Sequence, residues 1–365
     1  MLVDDECMRK LLPKLEALAA HLRSAVEGGK FFAIRYHNDC DGICAGVLLY
    51  RALKALDPEC VIQSFPSQIA VYERGRAYDE LGRLNDPRDT VFILVDHGAN
   101  PESIASLKML REAGAEIIIL DHHPFDRQAE KLASFFISPM MAGGNSSHTA
   151  GLLCYELAKL LDPEGVDEKI VKYSLQSDKS EFADKGIEHK EAVAIDYIST
   201  FEELDLPFYD GAFDNKEMVD EAYLQAKEKI GKALLQSEHY TETRDFGGYS
   251  AVIVKISKFL KKGDYPPRGK IMNEIIAKKG KELGGKPIVC LGIIEDSISF
   301  RANKPVLEMG FDANALINEL KIIFGSEIQN GGGHSAAAAL QANSTAIPAI
   351  EREILLLIEK QVGKK

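Results

Sequence analysis

Carboxylates and imidazoles collect at three points of the sequence, each directly after a short apolar run. FFAIRYH (31–37) leads into His37-Asn38-Asp39-Cys40-Asp41-Gly42, TVFILVD (90–96) ends in Asp96-His97-Gly98, and AEIIILD (115–121) delivers Asp121-His122-His123. Short β-branched, apolar runs of this kind are strand signals. In an open parallel sheet, ligands bind beyond the carboxyl ends of the strands. Three strands then bring acids and imidazoles to one rim. Unneutralised carboxylates side by side repel strongly, so the cluster calls for something positive between them, and a divalent metal is the economical answer. A single Asp after a strand is commonly an N-cap or turn residue. Adjacent imidazoles beside a carboxylate have little packing value, so Asp121-His122-His123 carries most weight. A calcium loop beginning at position 37 is excluded, because its twelfth position, which needs Glu, is Leu48.

The elements that must position these residues follow from the periodicity. VIQSFP (61–66) and SFFISPM (134–140) add two further strands. Between the strands lie segments with apolar residues at helical spacing, such as GICAGVLLYRALKAL and PESIASLKMLREAG. That alternation predicts an α/β fold, a parallel doubly wound sheet with helices on both faces. After His148 the pattern turns helical. Residues 201–245 read as a polar connector around one charged helix. Strands resume in YSAVIVKIS, KPIVCLGIIED and SISFRAN, followed by Gly-rich turns and a closing amphipathic helix. The expected division is a metal-binding domain over 1–200, a connector over 201–245 and a smaller α/β substrate-binding domain over 246–365.

Composition narrows the class. The 365 residues are 45% hydrophobic and 27% charged, ordinary for a folded domain pair. Six cysteines without a CxxC pair signal neither a disulfide framework nor a zinc knuckle. No apolar run reaches a membrane span and the start lacks a signal-peptide pattern, so a cytoplasmic location is expected. The net charge of −12 is uneven: from Tyr249 onward 17 Lys+Arg stand against 12 Asp+Glu, a local +5, which leaves −17 on the preceding part. That suits a first domain that binds cations and a second that grips an anion. A lysine-rich stretch from Lys255 to Lys286, including Lys262, carries much of the positive charge.

Asp39-x-Asp41-Gly42, Asp96, Asp121-His122-His123 and, later, Gly331-Gly332-Gly333-His334 resemble the successive motifs of the DHH phosphoesterase superfamily with its DHH-associated C-terminal domain, which includes RecJ-type exonucleases and nanoRNases. The resemblance spans almost the whole chain in motif order. It implies two divalent metals, with Asp96 bridging them, Asp39 on one, and Asp41, His122 and Asp178 (in SLQSDKSEF) on the other. It further implies that Asp121 orients His122 by taking its spare N–H, while His123 contacts the scissile phosphate or protonates the leaving group. His37 precedes Asp39 by two residues rather than the four of family II pyrophosphatases and nanoRNases. That spacing resembles the RecJ-like branch and leaves open whether His37 ligates metal. In the second domain, Gly331, Gly332, Gly333 and His334 would cradle a substrate phosphate, the glycines letting the backbone approach it closely. The segment is no P-loop, because no GK[ST] follows. Arg301 matches an arginine that the family sets on the substrate phosphate, a task its planar fork suits. His148, at a loop-to-helix junction, is a further candidate substrate contact.

Mixed carboxylate and imidazole ligands favour Mn²⁺, with Mg²⁺ as a possible substitute. The expected function is a two-metal phosphodiesterase, a RecJ-like exonuclease that hydrolyses single-stranded DNA or RNA or short oligonucleotides with metal-activated water. One alternative is a phosphodiesterase or phosphatase for cyclic or linear dinucleotides or 3′-phosphoadenosine-type nucleotides. The other is an inactive replication scaffold built on a nuclease fold, against which stands the presence of every matching ligand position. A replication or repair partner is a further expectation.

Overall fold

The computed structural model describes residues 1–69, 71–261 and 263–362, so Lys262 of the basic stretch lies outside the described residues. The chain divides into two compact units, Met1–Leu224 and Gln225–Lys365. The first unit runs α1 (Glu6–Glu27), β1 (Phe31–His37), α2 (Cys40–Leu56), β2 (Ile62–Ser67), α3 (Arg74–Leu81), β3 (Thr90–Val95), α4 (Ile104–Glu112), β4 (Glu116–Leu120), α5 (Arg127–Leu132) and β5 (Phe135–Ile137). Helices then follow: α6 (Ala150–Leu161), α7 (Glu168–Ser177), α8 (Lys190–Ser199), α9 (Leu206–Asp214) and α10 (Lys216–Glu238), the last crossing the division between the units.

All five strands pair in parallel in the order β2-β1-β3-β4-β5. The continuous apolar runs are explained by burial on both faces. In β3, Val91, Ile93 and Val95 enter a core shared with α1, α2, α6 and α7, while Phe92 and Leu94 enter a second core with α3, α4 and α5. The strand order reverses between β1 and β3, since the chain leaves β1 for β2 on one side and returns to β3 on the other. That is the place where open α/β sheets put their ligand crevice. His37 ends and Asp39 follows one of these two strands, and Asp96 follows the other.

The second unit contains β6 (Thr241–Asp245), β7 (Ser250–Lys255), α11 (Arg268–Glu282), β8 (Ile288–Ile293), β9 (Ser297–Ala302), α12 (Lys304–Glu308), α13 (Ala313–Phe324), β10 (Ile328–Gly333), β11 (Ala337–Ala342) and α14 (Ile347–Val362). Its sheet has the order β10-β11-β9-β8-β7-β6, mixed because only β7 and β8 run parallel. Ile298 and Phe300 of β9 point into the core made with α13 and α14, so Ser297, Ser299 and Arg301 take the opposite face. Two features differ from the sequence expectation. Residues 241–245, placed in the connector, form β6 and pair with β7; TETRD is a polar edge strand and has no apolar alternation to announce it. The Gly-rich segment expected as a turn is instead β10, an edge strand in a hairpin with β11. No helix among the described residues is long and apolar enough to cross a membrane.

Candidate metal centre

The D-x-D-G sequence builds its own geometry. Asp39 caps α2, its Oδ1 accepting the Gly42 N–H at 3.0 Å, which leaves Oδ2 turned toward His37 Nδ1 at 2.8 Å. Gly42 is required because a Cβ there would stand 2.2 Å from the His37 carbonyl oxygen. Asp41, on the first turn of α2, is wholly buried and held by three donors: its Oδ1 accepts from Gly151 N–H (2.8 Å) and Ser174 Oγ (2.6 Å), and its Oδ2 from Ala150 N–H (3.0 Å). Two of those donors are buried N–H groups of the first turn of α6 that have no partner within the helix, a natural seat for an anion.

Asp96 stands between two groups of donors. Its Oδ2 lies 3.5 Å from His37 Nδ1, and its Oδ1 lies 3.2 Å from His122 Nε2 and 3.4 Å from His123 Nδ1. It holds a backbone φ of 56°, unusual for a residue other than glycine and the kind of strain that functional sites retain. His122 Nε2 also lies 3.4 Å from Asp178 Oδ2 and 3.7 Å from Asp41 Oδ2. Ligand atoms of His37, Asp39 and Asp96 fall within 4.8 Å of one another, as do those of Asp41, His122 and Asp178, and of Asp96, His122 and His123. Seven of the residues singled out from the sequence, His37 and Asp178 included, therefore meet at one rim.

Asp121 joins this group through His123, and His148 stands apart from it. The structure corrects the role expected of Asp121. Its Oδ1 accepts the backbone N–H (3.0 Å) and faces Nδ1 (2.9 Å) of His123, not of His122. Successive residues leaving a strand point opposite ways, so a short carboxylate reaches the residue two positions on. The spare nitrogen of His122 is satisfied by the Ser146 carbonyl at 2.8 Å. His148 is not in the cluster: it is 3% exposed, with Nε2 2.8 Å from Asp5 Oδ2 on α1.

In the second unit, Gly331, Gly332 and Gly333 pair with Leu340, Ala339 and Ala338. Gly333 has φ 144° and a Cβ there would meet the Ala337 carbonyl oxygen at 2.6 Å, so hairpin closure alone demands glycine. Arg301 pairs across the sheet with Ala337, which places it beside the turn that carries His334. Its Nε donates to Asn273 Oδ1 at 3.1 Å and its Nη1 to the Phe300 carbonyl at 2.8 Å. A hollow of about 500 Å³ is lined by Arg268, Ser297, Asn330, Gly331, Gly332 and Gln341.

The pattern of the DHH family, N-terminal domain, matches residues 32–180. Over residues 32–180 the chain is similar to that domain. The uncharacterized protein MJ1198 of Methanocaldococcus jannaschii is 26% identical over 407 residues, covering 93% of this chain and 53% of that protein, so the chain spans about half the length of this curated relative. Among solved structures, the PF0399 DHH domain, described as a member of the s1p family of ribosomal proteins, superposes with a TM-score of 0.87 at 23% identity over all of this chain and 93% of that one. RecJ of Thermus thermophilus in complex with Mn²⁺ gives 0.63 at 16% identity over 95% of this chain and 55% of that one. These likenesses are of fold.

The electrostatics of this rim are those of a cation site. The Ser146 carbonyl can only accept, so His122 Nδ1 carries the proton and Nε2 of the neutral ring aims a lone pair at Asp96, Asp41 and Asp178. His122 Nε2, Asp96 Oδ1 and His37 Nδ1 are buried without a hydrogen bond of acceptable geometry. Facing lone pairs need a proton or a metal between them, and the donor set of carboxylates and imidazoles fits divalent ions. Without metal the strain shows as displaced proton affinities. Burial and then the charge of Asp96 push Asp41 up to about 7. Burial and then Asp41 drive Asp178 well above the carboxylate range. Burial opposes charge on His122, yet the Asp96 carboxylate 3.2 Å away raises it well above the usual imidazole value. Burial likewise opposes charge on His123, but Asp121 and then Asp96 raise it to about 9. Ser146, Ser174 and the Ala150 and Gly151 amides were not foreseen. Three of these four contributions come from backbone, whose roles side-chain identity does not advertise.

Proposed function

We propose that this chain is a two-metal phosphodiesterase, a RecJ-like exonuclease acting on single-stranded DNA or RNA or on short oligonucleotides, with Mn²⁺ preferred and Mg²⁺ a substitute. The observation that carries the reading is the Asp96 carboxylate, whose two oxygens face two separate donor sets. His37, Asp39 and Asp96 would hold one ion, and Asp96, Asp41, His122 and Asp178 the other. A pair of such ions supplies an acidified water and charge to stabilise an in-line displacement at phosphorus. The chain's own residues do the rest. Ser146 fixes the His122 tautomer, and the α6 amides with Ser174 immobilise Asp41. His123, whose side chain is 41% exposed, keeps a proton at neutral pH and can present it to a phosphate oxygen or to the leaving oxygen. In the second unit, Arg301 and Arg268 offer guanidinium donors that suit a phosphate.

Polarity, length preference and the choice between DNA and RNA are read by one experiment, a time course with Mn²⁺ on 5′-labelled DNA and RNA strands of several lengths, with cyclic dinucleotides alongside. Stepwise shortening of strands is expected. Turnover of cyclic or linear dinucleotides alone would make the chain a small-nucleotide phosphodiesterase instead, and no hydrolysis of any of them would leave a scaffold. Arg301→Ala is expected to raise KM with little change in kcat, since it grips ground and transition states alike; an unchanged KM removes Arg301 from the site.

The pH profile tests His123. Asp121 beside it raises the His123 proton affinity above that of an ordinary imidazole, so the proton is held through neutrality and lost at higher pH, and activity that needs it falls on that basic limb. Asp121→Asn removes the carboxylate that raises it, and the limb should move down toward the ordinary imidazole value of about 6.5. A basic limb that stays in place shows that the proton belongs to another group.

A further inference from the structure

A carboxylate, a thiol and an imidazole meet a second time, outside the ligand sets that share Asp96. Asp5 caps α1, its Oδ1 accepting the Met8 N–H at 2.8 Å, so that Oδ2 turns to His148 Nε2 at 2.8 Å. Cys7, on the same first turn, is 5% exposed and His148 3% exposed. The donor atoms of all three lie within 4.8 Å of one another. We propose that Asp5, Cys7 and His148 form a separate zinc-type metal site, distinct in chemistry from the centre at Asp96.

The donor set selects the ion. A thiolate, an imidazole and a carboxylate suit Zn²⁺, which takes sulfur and nitrogen at roughly 2.0–2.3 Å, whereas the sulfur-free rim at Asp96 suits Mn²⁺ or Mg²⁺. The orientation of His148 agrees. Its Nδ1 lies against the Asn145 backbone, 3.3 Å from the carbonyl oxygen and 3.4 Å from the nitrogen. In the metal-free chain Nε2 hydrogen-bonds the Asp5 carboxylate; an ion would take that proton's place, with Nδ1–H then turned to the Asn145 carbonyl, the orientation metal-bound histidines keep. Without metal, Cys7 Sγ donates to the Pro139 carbonyl at 3.6 Å and lies against the Gly144 N–H, weak sulfur contacts that a thiolate–metal bond would outweigh. Burial pushes this thiol up to about 11, so it ionises only with a cation beside it. The Asp5 side chain is 36% exposed, which leaves a solvent edge for a water as fourth ligand. The ion would clip the first turn of α1 to the segment between Gly143 and Thr149. That segment supplies the Ser146 carbonyl that orients His122, so the second site braces the first from behind.

The test is a Co²⁺ titration of the full chain in excess Mn²⁺, which keeps the Asp96 centre filled, with a phosphine reductant in place of thiols. One equivalent of Co²⁺ should produce the near-ultraviolet thiolate-to-cobalt charge-transfer band and tetrahedral visible bands, and Zn²⁺ should bleach them. The Asp96 centre contains no sulfur and cannot give the first band. Cys7→Ser should lose it entirely while the circular dichroism spectrum and Mn²⁺ binding stay unchanged. No charge-transfer band in the wild-type chain overturns the proposal without any variant, and a band that survives in Cys7→Ser assigns the thiolate elsewhere and overturns it too. Neither readout depends on phosphodiester hydrolysis, so failure here leaves the Asp96 reading intact.

Discussion

Asp96→Asn should abolish metal-dependent hydrolysis while leaving the metal-free chain at least as stable as the wild type. The amide keeps the shape of the side chain and tolerates the left-handed backbone at φ 56°, where alanine would add strain of about 1–2 kcal/mol. It removes the charge that serves both donor sets, so the loss should exceed the ~10–100-fold that follows removal of an outer hydrogen-bond partner. It also removes one negative charge from a rim crowded with Asp39, Asp41 and Asp178, which relieves repulsion when no ion is present. Turnover with Mn²⁺ and melting in chelator check the two halves together. Retained turnover would end the bridging role of Asp96, and a large drop in the chelator melting temperature would make it a structural residue.

The second large effect lies beneath the rim. Arg35, in the middle of β1, has no exposed surface and pairs with Glu80 of α3, while its guanidinium lies 4.2 Å from the centroid of the Tyr72 ring. The Tyr72 hydroxyl donates to the other Glu80 oxygen at 2.7 Å, and His97 packs edge-on against the same ring at 5.9 Å. Glu80→Ala strands a buried guanidinium, at a cost of about 3–5 kcal/mol. For a unit of this size that is a fall of roughly 6–20 °C in melting temperature. Combining it with Arg35→Met should recover much of the loss, because two apolar groups leave no charge unmatched. A Glu80→Ala melt within a degree or two of wild type would mean that water reaches Arg35 in the folded chain.

The sheet and the gathering of acids were legible because both rest on side chains in register with the backbone. Strands buried on two faces read as unbroken apolar runs, and a carboxylate at a strand end reads as one wherever it falls. Asp39 and Asp96 could be placed on one rim because the residues after β1 and β3 share the edge where the strand order reverses. Legibility failed where backbone did the work. Nothing in the letter S at position 146 says that its carbonyl holds His122. The motif resemblance pairs Asp121 with its neighbour His122, although its length and direction carry it to His123. In the second unit, glycines that suggest a phosphate-binding turn lie in an edge strand, where Gly333 has a packing reason of its own. Polar β6 is held in its sheet by ladder bonds that its side chains do not reveal.

The way Asp41 is pinned sets a size filter on the rim. Both lone pairs of its Oδ1 are taken, by Gly151 and Ser174, and Ala150 takes one on Oδ2. Only a single electron pair is left for an ion, so this carboxylate cannot chelate through two oxygens. Cations that seek six to eight oxygens at 2.3–2.6 Å and lean on two-oxygen chelation lose a contact there, while smaller ions that accept a single short bond lose nothing. Discrimination against the larger divalent ion is thus written into three hydrogen bonds, none of which touches a metal.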